Sequence, residues 1–127
     1  MSEPTKPVPA TGILRVWKAF FYSISGLKLA FRDEAAFRLE LLLVVILTPL
    51  CLFLPLEAWL KVAILSSHVV VLITELFNTA VESVVDMASP EFHPEAKKAK
   101  DTASAAVLLS LILAGGLWIY AVFALMA

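Results

Sequence analysis

Three stretches of this chain, 41–56, 62–74 and 102–127, contain no aspartate, glutamate, lysine or arginine. A helix needs about 20 residues at 1.5 Å each to cross the roughly 30 Å apolar core of a bilayer. The first stretch reaches that length by borrowing 35–40, and the second by running from 58 to 86 without a proline or glycine. The expectation is therefore an all-α membrane protein with spans at about 35–56, 58–86 and 102–126. A composition of 61% hydrophobic residues and a mean hydropathy of +0.90 agree, because soluble domains are nearer half apolar. The second span extends roughly 43 Å and must protrude from the apolar layer.

Ahead of the spans, residues 1–12 carry Pro4, Pro7, Pro9 and Gly12 with no apolar core, so they read as a short disordered tail rather than a secretory signal. Ile13, Trp17, Phe20, Phe21, Ile24, Leu27 and Phe31 then recur at three- and four-residue steps, with Arg15, Lys18, Tyr22, Ser25 and Arg32 on the other side. That pattern predicts an amphipathic helix over about 13–32 that lies in the headgroup layer. Residues 13–127 read as a single membrane-embedded domain.

Topology follows from charge. Lys6, Arg15, Lys18, Lys28, Arg32 and Arg38 precede the first apolar run, Lys97, Lys98 and Lys100 lie between the second and third spans, and only Lys61 is near the first connection. The positive-inside rule puts the N-terminus and the 87–101 loop in the cytoplasm and the C-terminus outside. A net charge of -1 gives no reason to expect nucleic acid as a partner. The single cysteine, Cys51, allows neither an internal disulfide nor a thiolate cluster.

The most informative segment is Glu75-Leu76-Phe77-Asn78-Thr79-Ala80-Val81-Glu82-Ser83-Val84-Val85-Asp86. At about 100° per residue, Glu75, Asn78, Glu82 and Asp86 form one narrow stripe. Carboxylates in a span are costly, usually face protein and mark function. Glu75 is expected roughly 9 Å inside the cytoplasmic boundary, about where the hydroxyl of a lipid headgroup would wait. Glu34 and Arg38 are one turn apart outside the first span, and Lys100-Asp101 precedes the third. Glu34 and Glu82 offer hard oxygens to Mg²⁺. Lys100 and Arg15 suit phosphate, and Glu75 suits proton abstraction from an attacking hydroxyl.

No P-loop or glycine-rich cradle is present, so metal and side chains would have to hold phosphate. His68 and His93 lack a zinc-ligand partner at the next turn. His68 reads as a packed histidine, and His93, beside Phe92, as a loop residue that is either solvated or stacked on a base. Ala106, Ser110 and Ala114 form a row of small residues suited to close helix contact in a homo-oligomer.

The segments 34–40, Glu75 to Asp86, Lys100-Asp101 and Ala103-Ser104-Ala105-Ala106-Val107 together resemble the prokaryotic diacylglycerol kinase family over about residues 13–125. The resemblance implies a homotrimer of three-span subunits with a surface helix and active sites shared between neighbours, in the bacterial inner membrane. It implies use of Mg²⁺ and ATP to phosphorylate diacylglycerol. Carried over by position, Glu75 resembles the general base, with Asn78 and Lys100 as further catalytic residues, and Glu34 and Glu82 resemble the metal ligands. Arg15, Tyr22, Glu34, Glu82, Glu91, Phe92, His93, Lys100 and Asp101 resemble the ATP contacts. The lipid-side contacts resembled are Arg15, Ala19, Phe20, Ser23, Ile24, Lys28, Phe31, Ala36, Phe37, Arg38, Glu40, Phe53, Leu56, Lys61, Glu75 and Ser104. Phe20-Phe21 stands where enterobacterial members have a small Ala-Gly pair, and Lys97 replaces a glycine. Phe20 and His93-Pro94 also echo the related undecaprenol kinases, which makes undecaprenol the alternative acceptor. A non-catalytic oligomer whose acidic stripe lines a cation path or partner seam is the alternative of another class.

Overall fold

A computed structural model describes residues 3–127. Of the expected tail, residues 1 and 2 lie outside the described residues, and 3–11 have no regular secondary structure. Four helices follow: α1 (Gly12–Asp33), α2 (Ala35–Phe53), α3 (Ala58–Ala88) and α4 (Pro94–Met126). The last three are long and apolar enough to cross a membrane. Gly12 enters α1 with φ +65°, a left-handed conformation that costs glycine little.

The helix boundaries have local causes. Glu34 adopts an extended backbone between α1 and α2, with its N–H donating to Ala30 O at 2.9 Å. Arg38 reaches back from α2, and its Nη1 donates to Phe31 O (2.8 Å) and Arg32 O (2.9 Å). Those carbonyls belong to the last turn of α1, where a helix has no acceptor use of its own and favours a cation. α2 tolerates Pro49 in its interior, stops at Phe53 ahead of Leu54-Pro55, and has its end tied to α3 by Lys61, whose Nζ donates to Leu52 O at 2.8 Å.

α4 starts at Pro94 rather than near residue 102, where the uncharged run begins. His93 explains the difference, since its Nδ1 accepts from the Glu95 N–H at 3.1 Å and Pro94 stands at the first helical position, where a missing N–H costs nothing. The charged first turns of α4 are helical too, held by the Lys97–Asp101 ion pair one turn apart and by Thr102 Oγ1 donating to Lys98 O at 2.7 Å. Helices of 31 and 33 residues are roughly 46 and 50 Å long, so α3 and α4 both outreach an apolar layer of about 30 Å.

α3 is the central element, packed mainly on α4 and next on α2, while α1 touches chiefly α2. The apolar core of Cys51, Leu60, Ile64 and Ala121, with Leu56, Leu65, Leu117 and Trp118 against it, lies near the 54–57 turn. Toward the other end of α3 the buried residues become polar: Ser67, His68 and Glu75 on α3, Glu40 on α2 and Ser110 on α4. Ser110 shares a 2.9 Å hydroxyl–hydroxyl hydrogen bond with Thr74. The centre of the Ala106, Ser110, Ala114 row is thus used inside the chain to join α3 and α4.

Candidate active site

Glu75 lies on the buried face of α3 with 4% of its surface exposed. One turn on, Asn78 donates through Nδ2 to Glu82 Oε1 in a long bond of 3.4 Å, so the amide orients the second carboxylate. The carboxylates of Glu82 and Glu34 stand within electrostatic reach of Glu75, and Glu75 stands within reach of Glu40. Glu34 reaches α3 from distant sequence because the extended elbow between α1 and α2 lies beside Leu76, Thr79, Ala80 and Ser83. The groove between the α1 end and α3, about 690 Å³, is lined by Ser23, Gly26, Ala30, Asp33 and Glu34 on one side and by Leu76, Thr79, Ala80 and Ser83 on the other.

The charge ring continues on the 89–93 connection. Lys100 Nζ pairs with Asp86 Oδ1 at 2.5 Å across α3 and α4. Asp86, Glu91, Phe92, His93, Lys97, Lys100 and Asp101 share a second groove of about 360 Å³. Ser89 Oγ donates to Glu91 O at 2.9 Å and shapes this turn. At the α1–α2 elbow, Arg32 grips Asp33 through two bonds of 2.7 and 2.9 Å, which hold the Asp33 carboxyl below the usual carboxylate range.

Among the described residues neither the Glu34 nor the Glu82 carboxylate is in an ion pair, and both present the hard oxygens that Mg²⁺ favours. No group of three or more metal-ligating side chains occurs among the described residues, and Mg²⁺ commonly takes only one or two carboxylates, completing its shell with phosphate oxygens and water.

The remaining expected residues fall into separate places. Arg15, Ala19 and Tyr22 line a shallow groove on α1 against Pro7–Ala10, at a different place from the Lys100 groove. Phe20, Lys28 and Phe31 are exposed on α1, as are Ala36, Phe53 and Ser104 elsewhere, while Ile24 is half-buried. Ser23 donates to its own helix at Ala19 O (2.9 Å). Phe37 and Glu40 are buried, and Leu56 packs on the core. Arg38, Lys61 and His93 carry the helix-end roles described above, which residue type alone did not reveal. Asp86, which completed the stripe without a role, gains one as the partner of Lys100, and Lys97 gains one as the partner of Asp101. The i, i+4 spacing of Lys97 and Asp101 was the available signal for the second pair.

An all-helical chain with three helices long and apolar enough to cross a membrane, and with a buried carboxylate on the central one, has the architecture of a membrane protein. The family model of the prokaryotic diacylglycerol kinases matches residues 21–122. The chain is 41% identical to the diacylglycerol kinase of Escherichia coli over 108 residues, covering 85% of this chain and 88% of that one. It is 40% identical to that of Helicobacter pylori over 124 residues, covering 93% and 92%, and 40% identical to that of Pseudomonas aeruginosa over 108 residues, covering 85% and 88%. The chain belongs to the prokaryotic diacylglycerol kinase family and is accordingly a kinase.

Proposed function

We propose that this enzyme transfers the γ-phosphoryl group of ATP to the primary hydroxyl of diacylglycerol, giving phosphatidic acid and ADP, at the cytoplasmic face of the bacterial inner membrane. The observation that carries the reading is the placement of Glu75, almost wholly buried in a candidate span on the face of α3 that also carries Asn78 and Glu82. A carboxylate held inside a span usually faces protein and marks function, and in its ionised form it can accept the proton of a substrate hydroxyl.

In this mechanism Glu75 accepts the proton as the lipid oxygen attacks phosphorus in line, and the bond to the bridging oxygen of ADP breaks. Glu34 and Glu82 would hold Mg²⁺, with Asn78 orienting Glu82, and the ion would supply positive charge against the phosphates of ATP. Lys100, fixed by Asp86, presents its ammonium to the charge on the transferring group. Arg15, Tyr22, Glu91, Phe92, His93 and Asp101 bind the nucleotide, and α1 with the exposed Ala36, Phe53 and Ser104 faces the lipid.

A homotrimer with α1 lying at the membrane surface fits the large apolar surface left on one chain: Leu42, Val45, Phe77, Val84, Leu109 and Phe123 are among many exposed hydrophobics. Lipid and neighbouring subunits are the two environments that accommodate them. The separation of the Arg15–Tyr22 groove from the Lys100 groove fits a nucleotide site completed between subunits.

The test is transfer of label from ATP to lipid by purified protein with Mg²⁺, offering diacylglycerol and undecaprenol side by side. Labelled phosphatidic acid is expected. Labelled undecaprenyl phosphate alone would reassign the acceptor, and no labelled lipid would favour the non-catalytic alternative.

A further inference from the structure

One side chain joins all three candidate spans. His68 on α3, 4% exposed, accepts at Nε2 from the Trp118 indole N–H of α4 at 3.0 Å. Its Nδ1 lies 3.0 Å from Thr48 Oγ1 of α2. A neutral imidazole that accepts at one nitrogen carries its proton on the other, so Nδ1 donates to Thr48. The imidazole and indole planes are inclined by only 17°, which leaves the two rings as one flat polar–aromatic wall.

That wall closes a slot. Glu40, Leu43, Val44 and Leu47 of α2 face Leu111, Ala114, Gly115 and Trp118 of α4, with Val71 and His68 at its base, around about 210 Å³. From Glu40 to Leu47, and again from Leu111 to Trp118, the helix rise is about 10 Å. The slot is therefore elongated along the spans, with Glu40 at one end and the His68–Trp118 wall at the other. Glu40 is 9% exposed, and its Oε2 is buried without a partner, which marks that end as open to a polar ligand atom. It is also the end within electrostatic reach of Glu75. The volume is below the 300 Å³ or so of a small-molecule pocket and suits part of one hydrocarbon chain rather than a whole lipid. Ala114 and Gly115 contribute no bulk on the α4 side, so the walls at mid-length admit a chain while the outer end does not.

We propose that His68 is a specificity-determining positioning residue: bonded to Thr48 and Trp118, it locks the outer end of the Glu40 slot and limits the length of acceptor chain the slot admits. The inference rests on the lipid-kinase reading above. Cutting either bond frees the indole to turn aside, and the slot then lengthens past mid-bundle. Nothing in this network touches ATP, so its effect falls on the lipid alone.

The experiment measures kcat/KM for dioctanoyl- and dioleoylglycerol with the full-length protein and His68→Val, Thr48→Val and Trp118→Phe. Thr48→Val removes one hydrogen bond with little change of shape, Trp118→Phe removes the other together with part of the wall, and both serve if His68→Val does not fold. The long-to-short ratio of kcat/KM is expected to rise at least fivefold in each, with KM for ATP unchanged. His68→Gln, whose amide still accepts from Trp118 and donates to Thr48, is expected to return most of the wild-type ratio. An equal loss on both lipids, or an unchanged ratio, would overturn the proposal by reducing the network to a helix clamp. A wild-type protein that labels neither lipid would instead overturn the lipid-kinase reading itself.

Discussion

Replacing Arg38 with methionine keeps the aliphatic stem and removes the two bonds that tie α2 to the last carbonyls of α1, at 2.8 and 2.9 Å. A hydrogen bond from a charged group is worth about 1.5–3 kcal/mol when shielded. This guanidinium is exposed, so solvent screening brings the pair down to about 1–2 kcal/mol together. The elbow they stabilise carries Glu34, the proposed metal ligand. If the whole loss falls on metal binding, each 1.4 kcal/mol is tenfold, so half-saturation by Mg²⁺ should shift upward by about 5- to 30-fold. Turnover at saturating Mg²⁺ should stay within about threefold, since Glu75 and Lys100 are untouched. Titrating Mg²⁺ in a label-transfer assay at fixed ATP and lipid reads both quantities. An unchanged Mg²⁺ requirement with a raised KM for lipid would refute the capping argument and return Arg38 to the lipid contact that its position first implied.

Other consequences can be checked in the same preparation. Lys100→Ala should lower kcat by about 10²-fold or more, as expected for loss of a group aimed at developing charge. Asp86→Asn, which removes only the anchor of Lys100, should cost about tenfold or less, so equal losses in the two variants would contradict the anchoring role. His93→Ala should remove the cap on Glu95 N–H at about 1 kcal/mol, raising hydrogen exchange at the first amides of α4, whereas His93→Asp should preserve protection. If both substitutions raise KM for ATP alike, the imidazole also serves the base.

The three candidate spans were legible in uncharged stretches alone, because a span announces itself by length and composition, and α1 in its three- and four-residue apolar steps. The start of α4 was not, since the charge-rich 94–101 segment reads as a loop until its capping histidine, the proline at the first helical position and the i, i+4 ion pair are seen together. Glu75, Asn78, Glu82 and Asp86 share a face by helix arithmetic, so the stripe was visible in one dimension. What sequence could not give was the partner of each residue across helices. Lys100 with Asp86, Thr74 with Ser110, and Thr48 with His68 and Trp118 are pairings of packing, and no local pattern encodes them. Arg38 and Lys61 illustrate the same point from the other side: both read as charges near lipid, and both are spent on backbone carbonyls at helix ends.

The most direct test of the central claim is the turnover of Glu75→Gln on diacylglycerol beside its binding of ATP. Glutamine keeps the shape and a hydrogen bond but cannot take the proton. A fall in kcat of at least about 10²-fold is expected, with the ATP dissociation constant little changed. A Glu75→Gln enzyme that still makes phosphatidic acid at a near-normal rate would contradict that claim.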